Sequence, residues 1–439
     1  MGVSTGYRLL LICYSLVYSA GLLLYSGLVT LRRMTGGRRS PVLARLGLPS
    51  SIPARDPGDE RPRVWIHAVS VGELNAVRPV IRAMLERSDR TLCISTTTST
   101  GQELARRDFG DRATVFYFPC DLRLVCRRYL QRLRPSLVVL AETELWPSFL
   151  AEAARADIPV VLINGRLSDT SFRRYLRFAP LFRPSVQSIA HFCMQTKADK
   201  HRVLSLGADP DRVNWIGNLK FDYRHHMPPE LSRLNERLRT LLCPGPDDLL
   251  LICGSTKPGE EEQLAQVVSR LARDGHNLKL IVAPRHPHRG AEVVQILDRA
   301  GFETRLRSRL DLERTSLQRV DALVLDSIGE LAGVYEIADL VFVGGSLVAE
   351  GGQNVIEPAA FAKPILFGPH MDNFREIAAA FTSNYAALQV QSAAELEARL
   401  ADLMGDAHAR AWLGRNARKV IRDNQGALSR TLEVLESFL

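Results

Sequence analysis

The chain has no C-x-x-C pair, no G-x-x-x-x-G-K-[ST] string and no G-x-G-x-x-G string. The first absence argues against a zinc ribbon or a disulfide framework, since both need cysteines at set spacings. The second excludes a P-loop, and the third disfavours dinucleotide binding. The cysteines that are present, Cys13, Cys93, Cys120, Cys126, Cys193, Cys243 and Cys253, mostly sit in apolar runs such as LLLIC. They read as buried, reduced thiols of a cytosolic compartment. Metal ligands are scarce too. His286 and His288 lie close together but lack a third ligand, so neither metal nor cofactor is expected.

What is present is a globular balance: 439 residues, 46% apolar and 24% charged, enough for two domains. The formal net charge of +9, carried mainly by Arg, calls for an acidic partner. The arginines are spread along the chain without interleaved aromatics. That disfavours nucleic acid and leaves anionic lipid or a phosphorylated substrate.

Leu9 to Val29 is uncharged and about 20 residues long, the length that crosses a hydrocarbon core. Arg32, Arg33, Arg38, Arg39 and Arg45 follow it, and only Arg8 lies between Met1 and the run. Basic residues after a span stay on the cytoplasmic side. Residues 1–33 therefore read as an uncleaved membrane anchor with the body of the chain in the cytoplasm. Tyr7, Tyr14, Tyr18 and Tyr25 also leave oblique insertion open. The Arg cluster would suit anionic head groups. Residues 34–62, rich in Gly, Pro and Arg, read as a juxtamembrane segment.

Beyond residue 62, apolar runs alternate with amphipathic stretches. VWIHAV, TLCIST, ATVFYFP, SLVVLAE, IPVVLING and IAHFCMQ read as strands, with helices such as AVRPVIRAMLER between them. A second series holds LLLICGS, LKLIVAPR, ALVLDS, DLVFVGGS and KPILFG. The fold class is α/β, with two doubly wound, Rossmann-like domains facing a cleft. The boundaries are 63–222, a linker at 223–247, and 248–439. Ligands of such sheets bind beyond the carboxyl ends of the strands.

The strand ends carry the chemistry. Ser70 and Glu73 follow the first strand, where Glu73 reads either as a helix-start carboxylate or as a general base. Glu142 and Glu144 flank Thr143 and, in extended chain, point the same way. Arg166 and Ser168 suit an anionic group. In the second domain, the loop Gly254–Glu262 offers backbone N–H groups to a phosphate at a helix start. Arg285 to Arg289 adds cations. In GGSLVAEGGQNVIEPAAFAKPILFG, Gly351 and Gly352 permit close backbone approach. Asn354 and Glu357 share the first helical turn, placed for a phosphate and for ribose hydroxyls.

Taken together, HAVSVGE (His67 to Glu73), ETELWP (Glu142 to Pro147), NGRLS (Asn164 to Ser168), GNLKFD (Gly217 to Asp222), GST (Gly254 to Thr256), APRHP (Ala283 to Pro287) and GGQNVIEPA (Gly351 to Ala359) form one ordered set. The set resembles the transferases of 3-deoxy-D-manno-octulosonic acid (Kdo) that act in Gram-negative lipopolysaccharide synthesis. The resemblance implies a GT-B fold and a metal-independent, inverting transfer of Kdo from CMP-Kdo to a lipid A precursor (lipid IVA) at the inner membrane. It implies that Glu73 is the base, and that Ser70, Glu142, Glu144, Arg166 and Ser168 lie on the acceptor side. It implies that Ser255, Thr256, Lys220, Arg285, His286, Gly351, Gly352, Asn354 and Glu357 hold the donor. Other GT-B enzymes, a nucleotide-sugar epimerase or a heptosyltransferase, are the alternatives, as is a non-catalytic membrane binding protein.

Overall fold

The computed structural model describes residues 5–34, 42–48, 51–55, 58–222, 229–243, 245, 247–275, 277–310 and 320–439. Residues 35–41 (Arg38 and Arg39 among them), 49–50 and 56–57 of the juxtamembrane segment and linker residues 223–228, 244 and 246 lie outside the described residues. Two compact units are present: 1–222 with 425–439, and 223–424.

Unit 1 is built on a parallel sheet of seven strands: β1 (Arg63–His67), β2 (Thr91–Thr96), β3 (Thr114–Tyr117), β4 (Leu137–Ala141), β5 (Val160–Gly165), β6 (His191–Met194) and β7 (Val213–Trp215). Their order is β3-β2-β1-β4-β5-β6-β7. β1 and β4 are buried at every position, which explains their unbroken apolar runs. One face packs Trp65, Phe116, Phe118, Tyr129 and Phe149. The other packs Val64, Ile66, Val77 and Ile81. The order of strands reverses between β1 and β4, and this switch point is where doubly wound sheets bind ligands.

Unit 2 repeats the plan with β8 (Leu249–Thr256), β9 (Leu278–Pro284), β10 (Thr304–Leu306), β11 (Ala322–Val324), β12 (Leu340–Val343), β13 (Ile365–Phe367) and β14 (Leu388–Gln389). The order is β10-β11-β9-β8-β12-β13-β14, all parallel, with the reversal between β8 and β12.

Two sequence expectations need correction. The second domain does not run to residue 439. Helix Ala427–Glu436 packs on unit 1, where Arg430 bonds the Ile216 carbonyl at 2.6 and 3.0 Å and Asp222 accepts from Gly426 and Leu428 N–H. Arg45 is not free to face lipid, since its Nε donates to the Phe118 carbonyl at 3.0 Å.

The apolar segment forms one helix, Thr5–Met34, whose stretch Gly6–Leu24 has a mean hydropathy of 1.6. One side of the helix lies on unit 1. Tyr7 and Leu11 pack on Ala151 and Leu181, and the Tyr7 hydroxyl meets that of Ser185 at 3.1 Å. The other side exposes Leu9, Ile12, Leu16, Val17, Leu23 and Leu24.

Candidate active site

The loop after β1 becomes helix Val71–Leu85 through a capping box. The Ser70 hydroxyl accepts from Glu73 N–H at 3.5 Å, and Glu73 Oε2 accepts from Val69 N–H at 2.7 Å. Glu73 therefore has the ordinary helix-start role that the sequence allowed. It has a second property that such a role does not require. A capping carboxylate is normally held ionised by its N–H partners. Here burial outweighs the Val69 bond and pushes Glu73 up to about 7, with the charge of Glu142 adding to the rise.

Glu142 and Glu144 follow β4 across the switch point. Glu142 sits in the left-handed region at φ 54°, so the chain there is not extended and the expected alternation fails. The carboxylates still converge. Burial raises Glu144 to about 8, and the charges of Glu73 and Glu142 contribute. Burial also raises Glu142, opposed by Lys220 and Arg166. Glu73, Glu142, Glu144, Arg166 and Lys220 thus form one electrostatic cluster at the carboxyl end of the unit 1 sheet. A carboxylate of this kind, basic near neutral pH, suits a general base.

Lys220, expected among the donor residues, belongs to unit 1, where its charge lies near Glu142. Sequence reasoning missed what holds it there. Asn164, left-handed at φ 52°, accepts from Leu219 N–H at 3.1 Å. Gln195 accepts from Asn218 Nδ2 at 2.9 Å and donates to the Asn164 carbonyl at 2.8 Å. These bonds join the NGRLS and GNLKFD strings. Ser168 is separate: its hydroxyl caps helix Asp169–Arg177 by accepting from Ser171 N–H at 3.2 Å.

In unit 2 the loop after β8 departs from expectation. Glu260 is fully buried and accepts from Lys257, Gly345, Ser346 and Leu347 N–H at 2.7–3.2 Å. The chain's own carboxylate therefore takes one N–H of the loop the sequence offered to a phosphate, that of Lys257, and three of the loop after β12. Ser255 lies in the same loop at φ 57°, a strained conformation of the kind that clusters at functional sites. Thr256 is wholly buried, and its hydroxyl donates to Glu261 at 2.9 Å, so it supports the loop from below and does not face a ligand.

The cation run after β9 divides. Arg285, His286 and His288 are exposed at the rim. Desolvation and the neighbouring charges of Lys257 and Arg285 hold His286 below its ordinary value. Arg289 turns inward to Glu261 at 2.8 Å and Glu292 at 2.7 Å. Glu261 is fully buried, so removing Arg289 leaves its charge without a counter-ion, with only the Thr256 hydroxyl still bonded to it. Arg289→Ala is expected to cost about 3–5 kcal/mol in urea unfolding. A loss below about 1 kcal/mol would show that the pair does not hold this loop.

Gly351 and Gly352 lie at φ 82° and 71°, and both are buried. A Cβ on Gly351 would strike Asn373, and one on Gly352 would strike Met371. The close approach they permit is to the chain's own 370–373 segment. Asn354 precedes the helix Ile356–Ala360, accepting from Ile356 N–H and donating to Glu357, both at 3.1 Å. Burial raises Glu357, opposed by Asn354 and by the charge of Arg285, which places Arg285 and Glu357 at one site.

The Asp209-Pro210-Asp211 string, the Asp-x-Asp spacing that often marks a metal site, lies in a 3-10 turn before β7, where Asp209 caps Asp211 N–H at 3.1 Å. Among the described residues no group of three His, Cys, Asp or Glu could hold a metal.

Residues 42–223 match the family model described as 3-deoxy-D-manno-octulosonic-acid transferase (kdotransferase). A 3-deoxy-D-manno-octulosonic acid transferase of Haemophilus influenzae is 34% identical over 378 residues, 86% of this chain and 87% of that protein. One of Bordetella pertussis is 31% identical over 88% of this chain and 90% of its own. In fold, the chain is similar to a glycosyltransferase of Rickettsia africae, with a TM-score of 0.55 at 12% identity over 87% of this chain and 99% of that one. It is similar to a UDP-GlcNAc 2-epimerase of Neisseria meningitidis at a TM-score of 0.56 and 13% identity, over 85% and 100%. These two likenesses show the α/β GT-B architecture alone.

Proposed function

Because the chain belongs to the 3-deoxy-D-manno-octulosonic-acid transferase family of glycosyltransferases, we propose that it moves Kdo from CMP-Kdo onto a lipid A precursor in lipopolysaccharide synthesis. The observation that carries the mechanism is Glu73, a half-buried carboxylate raised to about 7 at the unit 1 switch point. Glu73 takes the proton of an acceptor hydroxyl. That oxygen attacks the anomeric carbon of Kdo with inversion, and CMP leaves with the bonding pair. Arg166 and Lys220 give the acceptor side its positive charge, suited to a lipid A phosphate. On the donor side Arg285 balances the phosphate, with His286 and Ser255 as hydrogen-bond partners, while Glu357 and Asn354 suit ribose hydroxyls. Because Glu260 takes the Gly345, Ser346 and Leu347 N–H groups, the phosphate charge falls to the exposed side chain of Arg285.

Attachment to the inner membrane from the cytoplasmic side is part of the same reading, and helix Thr5–Met34 supports the membrane contact. Its Tyr7 side rests on unit 1 and its leucine side is free for lipid, which favours oblique insertion.

The base acts ionised, so activity falls as pH drops through its value. The pH dependence of kcat/KM is expected to show a limb near 7 and not near the ordinary 4.5. Its apparent position belongs to the coupled carboxylates together, Glu144 at about 8 included. Stability moves the other way. Glu73 binds its proton more tightly folded than unfolded, so its contribution declines as pH rises from 4.5 to about 7. A limb near 4.5 would remove burial as the cause. Donor choice tests the reaction itself. CMP release from CMP-Kdo in the presence of acceptor is expected, and turnover only with UDP- or ADP-sugars would overturn the assignment.

A further inference from the structure

Helix Ala407–Asn424 closes unit 2 and has two unlike faces. Leu413, Ala417, Val420 and Ile421 are buried against the core. Trp412, Arg415, Lys419 and Arg422 recur at intervals of three and four, so they form one stripe on the opposite side, with Arg418 at its edge. All of these are exposed. Arg415, Arg418 and Lys419 have no ion-pair partner among the described residues, and Arg422 has Asp423 at 3.7 Å. Trp412 is 46% exposed and lies 5.8 Å from the ring of Tyr385, itself 68% exposed. The Asn416 amide bonds the Tyr385 carbonyl at 3.1 Å and ties that loop to the helix.

We propose that this stripe is a second membrane contact, a face of unit 2 that rests on anionic phospholipid head groups. It rests on the membrane attachment proposed above and adds a site on the donor-side unit that is distinct from helix Thr5–Met34. Two observations choose lipid as the occupant. Four cations against one acid on one helix face complement an anionic surface. The aromatic pair at the end of the stripe has amphipathic rings of the kind that settle at head-group depth. A soluble polyanion would satisfy the charges and would leave the aromatic pair without a role. The face would hold unit 2 at the bilayer surface, where a lipid acceptor resides.

The full chain reconstituted with vesicles of phosphatidylcholine, with or without phosphatidylglycerol, tests this through brominated acyl chains that quench nearby indoles. The spectrum of the wild type minus that of Trp412→Phe isolates Trp412 from Trp65, Trp146 and Trp215. Quenching of that difference is expected in anionic vesicles and not in pure phosphatidylcholine. It is expected to fall at least about fivefold in Arg415→Glu/Lys419→Glu/Arg422→Glu and to persist in Arg415→Lys/Arg422→Lys. A chain that sediments with vesicles yet shows no Trp412 quenching, or quenching blind to lipid charge, overturns the second contact and leaves the N-terminal one standing. A chain that does not sediment overturns both. Loss of quenching in the Lys variants as well, with altered circular dichroism, would assign the stripe to folding and contradict the proposal.

Discussion

Glu73→Gln is expected to lower kcat by about 10²–10⁴-fold while donor affinity stays within about twofold. The amide keeps the volume of the carboxylate and can still accept from Val69 N–H, the 2.7 Å bond that fixes the loop after β1. The capping box therefore persists, and what disappears is the group that takes the proton. Glu73→Ala removes both and should add a stability loss of about 1 kcal/mol from the lost cap. The contrast separates the two roles of one residue. Equal activity in wild type and Glu73→Gln would leave Glu73 a capping residue only.

Arg285→Ala is expected to lower kcat/KM for the donor by about ten- to a hundredfold, the value of a charge-assisted hydrogen bond. Arg285 is exposed at the rim, so little stability should be lost. The expectation is strengthened by Glu260. With the Gly345, Ser346 and Leu347 N–H groups bonded to that carboxylate, these three backbone donors cannot replace a missing cation. Arg285→Lys should recover part of the loss, since it keeps the charge without the planar fork. Initial rates against donor concentration, with acceptor saturating, read both variants. An unchanged donor KM in Arg285→Ala would move the phosphate site elsewhere.

Much of the fold was legible because the central strands are buried on both faces, which writes them as unbroken apolar runs. β7, β10 and β14 were not legible. They are short and sit toward or at the sheet edges, and they expose positions such as Asn214, Trp215, Arg305 and Gln389. Their pattern is that of a loop. Helix Ala427–Glu436 returned to unit 1 through contacts of Arg430 and Asp222 that join residues some 200 apart in sequence, a distance at which periodicity is silent.

The candidate site divides along the same line. Glu73, Glu142, Glu144 and Arg166 were legible because each directly follows a strand or opens a helix, and topology brings strand ends to one rim. The direction of each side chain was not legible. Thr256 turned inward, Arg289 left the cation run to neutralise Glu261, and Glu260 entered the loop that seemed open to phosphate. In the GEEE string one acid in three does this. Only the packed neighbours decide which. The glycine pair Gly351–Gly352 was rightly read as needing close approach, but the partner is the chain's own Met371 and Asn373.

Mass spectrometry of the product formed from CMP-Kdo and a tetra-acylated lipid A precursor tests the central claim most directly. The wild-type chain is expected to yield the precursor with one or more Kdo residues added, and Glu73→Gln to yield the precursor unchanged. An unmodified precursor with the folded wild-type chain, or a product bearing a different sugar drawn from a UDP or ADP donor, would contradict it.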